Sequence, residues 1–292
     1  TSTASISSVT GGRAKAGNYK LTENTKAFII NRATTATAAV ADKTYNGESQ
    51  TGVTGNYVSW GGTTAGIDAG SYTATATPDE NHAWSDGTTA AKSITWTMSA
   101  KEVAVTWGTT IFTYNGSAQG PTASAESGVT GETINVTRTT GTNAGSYTST
   151  ASCSSVTGGQ AKCSNYTLTG NTKAFIINKV IPTIKFATTS GSVTYHTGNG
   201  FSGNWIYSPA KVSGTVTLTS SNTNYVSIQE NYVSTKVDSF TSQPSSYFTI
   251  VVNGVKATST PIPITVKFTP DNENFETVTE TYNVTVNKAT PT

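Results

Sequence analysis

A repeat carried at a constant offset of 147 residues constrains this chain more than any other feature. Residues 7–12 (Ser-Ser-Val-Thr-Gly-Gly) return at 154–159, Asn18-Tyr19 returns as Asn165-Tyr166, and the seven residues from Thr25 to Asn31 return, with the same marks, from Thr172 to Asn178. A fixed offset means that no insertion separates the marks. A more divergent copy lies between: Tyr45-Asn46-Gly47 recurs as Tyr114-Asn115-Gly116, and Ala69-Gly70-Ser71-Tyr72 as Ala144-Gly145-Ser146-Tyr147. The 147-residue period is therefore two units of about 70–78 residues, and self-similarity on that scale is the mark of a tandem array.

Joints follow from where the copies end. Asn31-Arg32, Ala100-Lys101, Asn178-Lys179 and Asn287-Lys288 each close an apolar run. They divide the chain into 1–32, the second half of a unit; 33–101 and 102–180, two whole units; and 181–292, a larger unit followed by the start of another linker. Residues 222–260 of the large unit have no counterpart in the shorter ones.

Within each unit the signals are those of strands. Apolar and polar residues alternate in 103–107, 71–76, 212–218 and 281–286, with β-branched residues dominating, and no window of 11 residues or more carries a helical apolar stripe. Asn-Gly pairs at Asn46-Gly47, Asn115-Gly116, Asn199-Gly200 and Asn253-Gly254 suit tight hairpin turns. The expected fold is all-β: tandem immunoglobulin-like antiparallel sandwiches forming an elongated rod. Units this small bury little surface alone, so stability is expected from contacts between neighbours and from core aromatics, for which Trp60, Trp96, Trp107, Phe175, Tyr72 and Tyr147 are the candidates.

The order Tyr-Asn-Gly, Ala-Gly-Ser-Tyr, Gly-Asn-Tyr-x-Leu-Thr and a closing apolar strand before Asn-Lys/Arg resembles the tandem MBG/YDG-type bacterial immunoglobulin-like repeats of surface and secreted proteins. Residues 181–292 are similar to a sister repeat, with marks at 191–195, 266–275 and 284–292. The resemblance implies an extracellular setting on a bacterial surface or in a secretion, and a spacer or adhesive role. It implies no catalytic motif.

Composition narrows the partners. Only 34 of the 292 residues are charged, for a net charge of +2, while Thr and Ser make up roughly a third of the chain. The 18 basic residues are scattered singly, which excludes a nucleic-acid face, and no apolar run approaches the ~20 residues that span a bilayer. The expected partners are neighbouring repeats or copies of the same protein, together with a host or environmental glycan or protein. The chain opens on Thr1 with only the second half of a unit, so two expectations stand: a processed or excised fragment whose missing half lies just upstream, or completion of that half by strands of another molecule, and hence polymerisation.

Candidate sites are few. Cys153 and Cys163 flank a turn-rich stretch, a spacing that fits a hairpin disulfide or a pair of free thiols. His82 and His196 lie far apart in polar segments, too isolated for a nucleophile–base pair, and are read as solvated; no enzyme activity is expected. Asp79, Glu80 and Asp86 in one loop, and Asp271, Asn272 and Glu273 in its equivalent, could offer oxygen ligands to calcium, but without the alternating spacing of a dedicated site. They are read instead as turn residues capping their own backbone, so no metal or other cofactor is assigned. Trp205 and Tyr207 alternate on one strand face, where core burial and a sugar-binding platform compete, and Trp84 in a polar loop is the aromatic expected to be partly exposed. Sequons at Asn115, Asn135, Asn165 and Asn283 are the chance product of abundant threonine, and Lys–Asn or Thr ester crosslinks have no named pair.

Overall fold

The computed structural model describes residues 1–11, 15–159, 162–240 and 246–290. Gly12, Pro291 and Thr292 of the repeat marks lie outside them. The chain is all-β; among the described residues the only helical segments are three single 3₁₀ turns. It divides into two compact units, one of 1–102 with 127–133 and 156–167, the other of 103–126, 134–155 and 168–292.

In the first unit, a four-stranded sheet runs in the order Lys43–Thr44, Lys92–Ser99, Gly70–Pro78, Val58–Gly62. It is faced by the pairs Thr37–Val40 with Val53–Asn56 and Gln50–Thr51 with Ala65–Gly66. Strand Gly70–Pro78 alternates Thr outward with Ala74 and Ala76 inward, both fully buried. So small an inner face leaves room for one large ring. Trp96 fills it, 0% exposed, stacked on Tyr72 at 4.5 Å and donating from Nε1 to the Thr63 carbonyl at 2.8 Å. A Cβ on Gly52 would stand 1.9 Å from that ring, so glycine here is the floor of the tryptophan site.

The second unit holds the comparable sheet Ile111–Thr113, Thr172–Asn178, Gly145–Thr157, Thr133–Arg138, in which Phe175 takes the place of Trp96 and stacks on Tyr147 at 5.2 Å. Its largest core belongs to 181–290. A sheet ordered Thr183–Lys185, Gly198–Tyr207, Ser246–Gly254, Val226–Ile228 packs on a five-stranded sheet ordered Ser190–Thr194, Val278–Asn287, Thr258–Pro270, Val212–Ser220, Ser234–Phe240. The residues without counterpart supply three of these strands, widening the sandwich around fully buried Ile206, Ile250, Ile264, Phe268 and Tyr282.

The expected strands at 71–76, 103–107, 212–218 and 281–286 are all present. The turns differ. Gly47 and Gly116 do adopt positive φ, at 86° and 80°, but they build Asx turns in which Asn46 and Asn115 accept the N–H of Glu48 and Ser117. The strands before them pair parallel with a distant strand rather than folding back as hairpins. Asn199-Gly200 and Asn253-Gly254 lie within strands, where the ladder between Gly198–Tyr207 and Ser246–Gly254 outweighs local turn preference. Cys153 and Cys163, the only two cysteines, are disulfide-bonded.

Trp96→Ala should cost about 3–5 kcal/mol, the range for deleting a buried aromatic, read as a shift of the denaturant midpoint. Gly52→Ala should destabilise as well, since the methyl and the indole cannot share the site; an unchanged midpoint in either variant would contradict this packing.

Candidate functional site

Three parallel ladders end in the same way. Their last pairs are Thr44 with Ser99, Thr113 with Asn178 and Thr194 with Asn287. The next residue is each time a tyrosine, Tyr45, Tyr114 or Tyr195, whose N–H donates to the carbonyl of that same Ser99, Asn178 or Asn287 at 2.9 Å. On its other side the shared strand pairs antiparallel, through Met98 with Gly70, Ile177 with Gly145 and Val286 with Thr258. The residues just before those glycines and threonine are therefore matched: Asp68-Ala69, Asn143-Ala144 and Lys256-Ala257. Each sheet end thus presents a tyrosine beside a turn that carries an alanine N–H. In two of the turns the tyrosine two residues past the glycine donates its hydroxyl backward, Tyr72 to the Asp68 carbonyl at 2.7 Å and Tyr147 to that of Asn143 at 2.8 Å.

In the first unit this end is covered by Lys162–Tyr166. Asn165, 0% exposed, accepts the Ala69 N–H at 2.8 Å through Oδ1 and donates through Nδ2 to Asp68 Oδ1 at 3.0 Å. One carboxamide satisfies a main-chain donor and a side-chain acceptor at once, so neither is buried without a partner. Lys162 Nζ lies 2.5 Å from Asp68 Oδ2. That ammonium, followed by the Asn165 amide, holds the Asp68 carboxyl below the usual carboxylate range. Tyr166 meets Tyr45 edge to face at 5.4 Å. Both phenols donate to the buried carboxylate of Glu132, Tyr45 to Oε1 at 2.5 Å and Tyr166 to Oε2 at 2.6 Å. Burial, reinforced by the hydrogen bond to Glu132, pushes the Tyr45 phenol up to about 12 and moves Tyr166 the same way.

The second unit repeats the arrangement with other residues. Asn274 Oδ1 accepts the Ala144 N–H at 2.6 Å, and its Nδ2 donates to Asn143 Oδ1 at 3.2 Å. The following Phe275 meets Tyr114 edge to face at 5.7 Å. An asparagine followed by an aromatic, set against a turn and a tyrosine, is one device used twice. Sequence reasoning treated Asn165-Tyr166 and Ala69–Tyr72 as separate repeat marks and missed that they touch; the recurrence of a polar residue next to an aromatic at a unit joint was the available signal.

The residues singled out from sequence fall elsewhere. Trp84 is not partly exposed: it is 4% exposed, packs with Ala36 and Ala76, and donates from Nε1 to the Ala90 carbonyl at 2.7 Å. The polar loop folds over it, with Lys92 Nζ 4.8 Å from its ring. Trp205 and Tyr207 do share a face, but not the core face, because the residues between and before them, Ile206 and Asn204, point inward and are buried. Tyr247, opposite Trp205 in the ladder, adds a third ring 6.4 Å from the indole. Tyr207 and Tyr247 are 44% and 62% exposed.

His82 is less solvated than expected: it stacks on Tyr57 at 3.9 Å and bonds through Nδ1 to Asp79. Asp79 and Asp86 are engaged locally, Asp79 accepting the Asn81 N–H and Asp86 the Thr88 N–H and hydroxyl, whereas Asp271 accepts from the ammonium of Lys236 on the strand Ser234–Phe240. The Thr88 contacts lower the Asp86 carboxyl to about 2. Among the described residues, no group of three or more His, Cys, Asp or Glu side chains converges on one point. Among the described residues no helix is long and apolar enough to cross a membrane.

No family model and no curated protein sequence matches the chain. Among solved structures it is similar to extracellular cadherin domains 3-6 of protocadherin gamma B2, with 10% identity and a TM-score of 0.23 over 86% of this chain and 73% of that one. It is also similar to SGBP-B of the Bacteroides ovatus mixed-linkage glucan utilization locus in complex with a mixed-linkage heptasaccharide, with 12% identity and a TM-score of 0.15 over 85% of this chain and 67% of that one. Likenesses this distant carry no argument about function. The all-β fold of packed, largely antiparallel sheets rests on the strands themselves.

Asn165→Ala should destabilise the first unit by about 1–3 kcal/mol, because the Ala69 N–H loses its acceptor under cover. Faster hydrogen exchange at the Ala69 amide would localise the loss, and unchanged exchange would refute the clamp.

The phenols predict a pH window. A Tyr45 pKa above the unfolded value of about 10 contributes stability that is complete below pH 10 and lost as pH rises through about 12. Tyr45→Phe should flatten that alkaline limb in denaturant titrations. Asp68 works in the opposite range: its lowered pKa contributes stability above the unfolded value of about 3.9, lost as pH falls below it, and Asp68→Asn should remove that acid sensitivity.

Proposed function

We propose that this chain is a structural and adhesive segment of a bacterial cell-surface or secreted protein. In it, repeats of the MBG/YDG type at 1–32, 33–101, 102–180 and 181–292 succeed one another in a stalk or fibre. The observation that carries the reading is the duplicated clamp, in which Asn165 grips the Asp68-Ala69 turn and Asn274 grips the Asn143-Ala144 turn. Spending a buried carboxamide and an aromatic pair at successive joints is useful to a molecule whose task is to hold repeats in a fixed relation. The disulfide fits an oxidising, extracellular compartment. The function needs no catalytic residue or cofactor. Limited proteolysis tests it: the native chain should resist cleavage near residues 100 and 180, and the Asn165→Ala, Asn274→Ala double variant should be cut there faster. Equal rates would defeat the reading.

A second reading is favoured by the outward strip of Trp205, Tyr207 and Tyr247. Flat rings half out of solvent on a sheet face offer apolar surface to pyranose rings, and the reading makes 181–292 a carbohydrate- or protein-binding module. On a glycan array, saturable binding by the whole chain that disappears in Trp205→Ala would establish it, and absence of binding at the highest soluble concentration would rule it out for sugars.

A further inference from the structure

The strand that carries Trp205 changes phase part-way along. Phe201 lies opposite Ile250 and packs against the core, whereas Asn204, not Gly203, lies opposite Phe248. One extra residue is taken up in a bulge, with Gly203 at a φ of 78°. Asn204 fastens it: the side chain is 1% exposed, its Nδ2 donates to the Phe201 carbonyl at 2.8 Å, and its Oδ1 accepts the Ala187 N–H at 3.3 Å. Without the extra residue Trp205 and Tyr207 would follow Phe201 into the core; with it they stand on the outer face. Turning two large rings toward water gives up hydrophobic burial, so the bulge serves something other than the core.

Around the rings the face carries one sign of charge. Lys185 is the ladder partner of Trp205 on the side away from Tyr247. An ammonium, an indole and a phenol therefore stand in one row across three strands, with Tyr207 and Thr183 in the next row. Lys185 is exposed and is the one charged residue of the four strands, which contain no Asp or Glu. A second exposed lysine, Lys211, follows Tyr207 by four residues. Glu230 belongs to the 3₁₀ turn after Val226–Ile228, the opposite edge of the sheet. The exposed ring surface is small: three rings, the most open of them 62% exposed, offer on the order of 200–300 Å². Each partner in a stable protein interface contributes about 800 Å². The strip is too narrow for a second copy of this chain and wide enough for a file of sugar rings.

We propose that this face binds an oligomer of uronic acids, an inference that rests on the carbohydrate-binding reading above. Pyranose faces stack on Trp205, Tyr207 and Tyr247, and the carboxylate of one sugar pairs with Lys185. A single ammonium matches one carboxylate in a spaced series. Sulfated chains carry denser charge and are held by clusters of basic residues, which this sheet lacks.

Isothermal titration of the whole chain with an oligogalacturonate, its methyl-esterified form and a sulfated oligosaccharide of the same length tests this. The acid should bind saturably and the ester about two- to fivefold more weakly, the worth of one exposed ion pair. Lys185→Gln should erase that difference. Trp205→Ala should weaken both by about tenfold or more with the melting curve little changed, because the ring lies outside the core. Equal affinity for acid and ester, a difference that survives Lys185→Gln, or preference for the sulfated chain would each overturn the proposal. So would a dimer that Trp205→Ala dissolves, which would give the rings to a second copy. If none of the three oligomers binds while neutral sugars bind on the array, the proposal alone fails; if the array is silent as well, the carbohydrate reading beneath it fails too.

Discussion

The rest of this structure depends on a single constraint: a strand that starts at the end of a sheet exposes a main-chain N–H, and covering that end requires an acceptor for it. A carboxamide answers the constraint with few atoms, because its oxygen takes the N–H while its NH₂ occupies the acceptor one residue earlier. Water could satisfy the same groups only if the joint stayed wet. Once asparagine does so, aromatic rings can close over it, and Asn165 becomes fully buried. The sequon it belongs to is thereby sealed inside the folded protein.

The two clamps differ in how they use the space under the rings. Beneath Tyr45 and Tyr166 lies a carboxylate, and the geometry is satisfied because each oxygen of Glu132 takes one phenol while Ser127 donates to the Glu132 carbonyl. A charge in that position is tolerable only when fully bonded, which makes the joint sensitive to any loss within the network. Tyr114 meets Phe275 instead, and no such network is needed. The same backbone frame therefore supports a polar joint and an apolar one, with the asparagine common to both.

Much of this was legible in the chain. Period-two alternation located the long strands, and the 147-residue offset located the segments that recur. Trp96 and Phe175 were recognisable as core because the rings precede a joint at matched places. The turns misled for a physical reason: Asn-Gly favours positive φ at glycine, which Gly47 and Gly116 show, but that preference does not say which strand pairs with which. Trp84 misled because a polar loop can fold its own backbone and a lysine stem over an indole. The clamp escaped because its halves lie nearly a hundred residues apart or more, and no local pattern connects Ala69 to Asn165 or Ala144 to Asn274.

Sequence alone determined the class of secondary structure and which residues recur along the chain, because these follow from periodicity and self-similarity. Tertiary structure decided burial and partnership. The residues from Thr25 to Asn31 and from Thr172 to Asn178 are identical, yet Phe28 and Ile30 are 56% and 85% exposed while Phe175 and Ile177 are 3% and 1% exposed. Strand Thr172–Asn178 lies between Ile111–Thr113 and Gly145–Thr157, whereas among the described residues the other copy is paired at Thr25–Lys26, with Ser2–Thr3. An apolar strand is driven out of water only where neighbouring strands supply ladder bonds and facing side chains, and those neighbours are a property of the fold rather than of the segment.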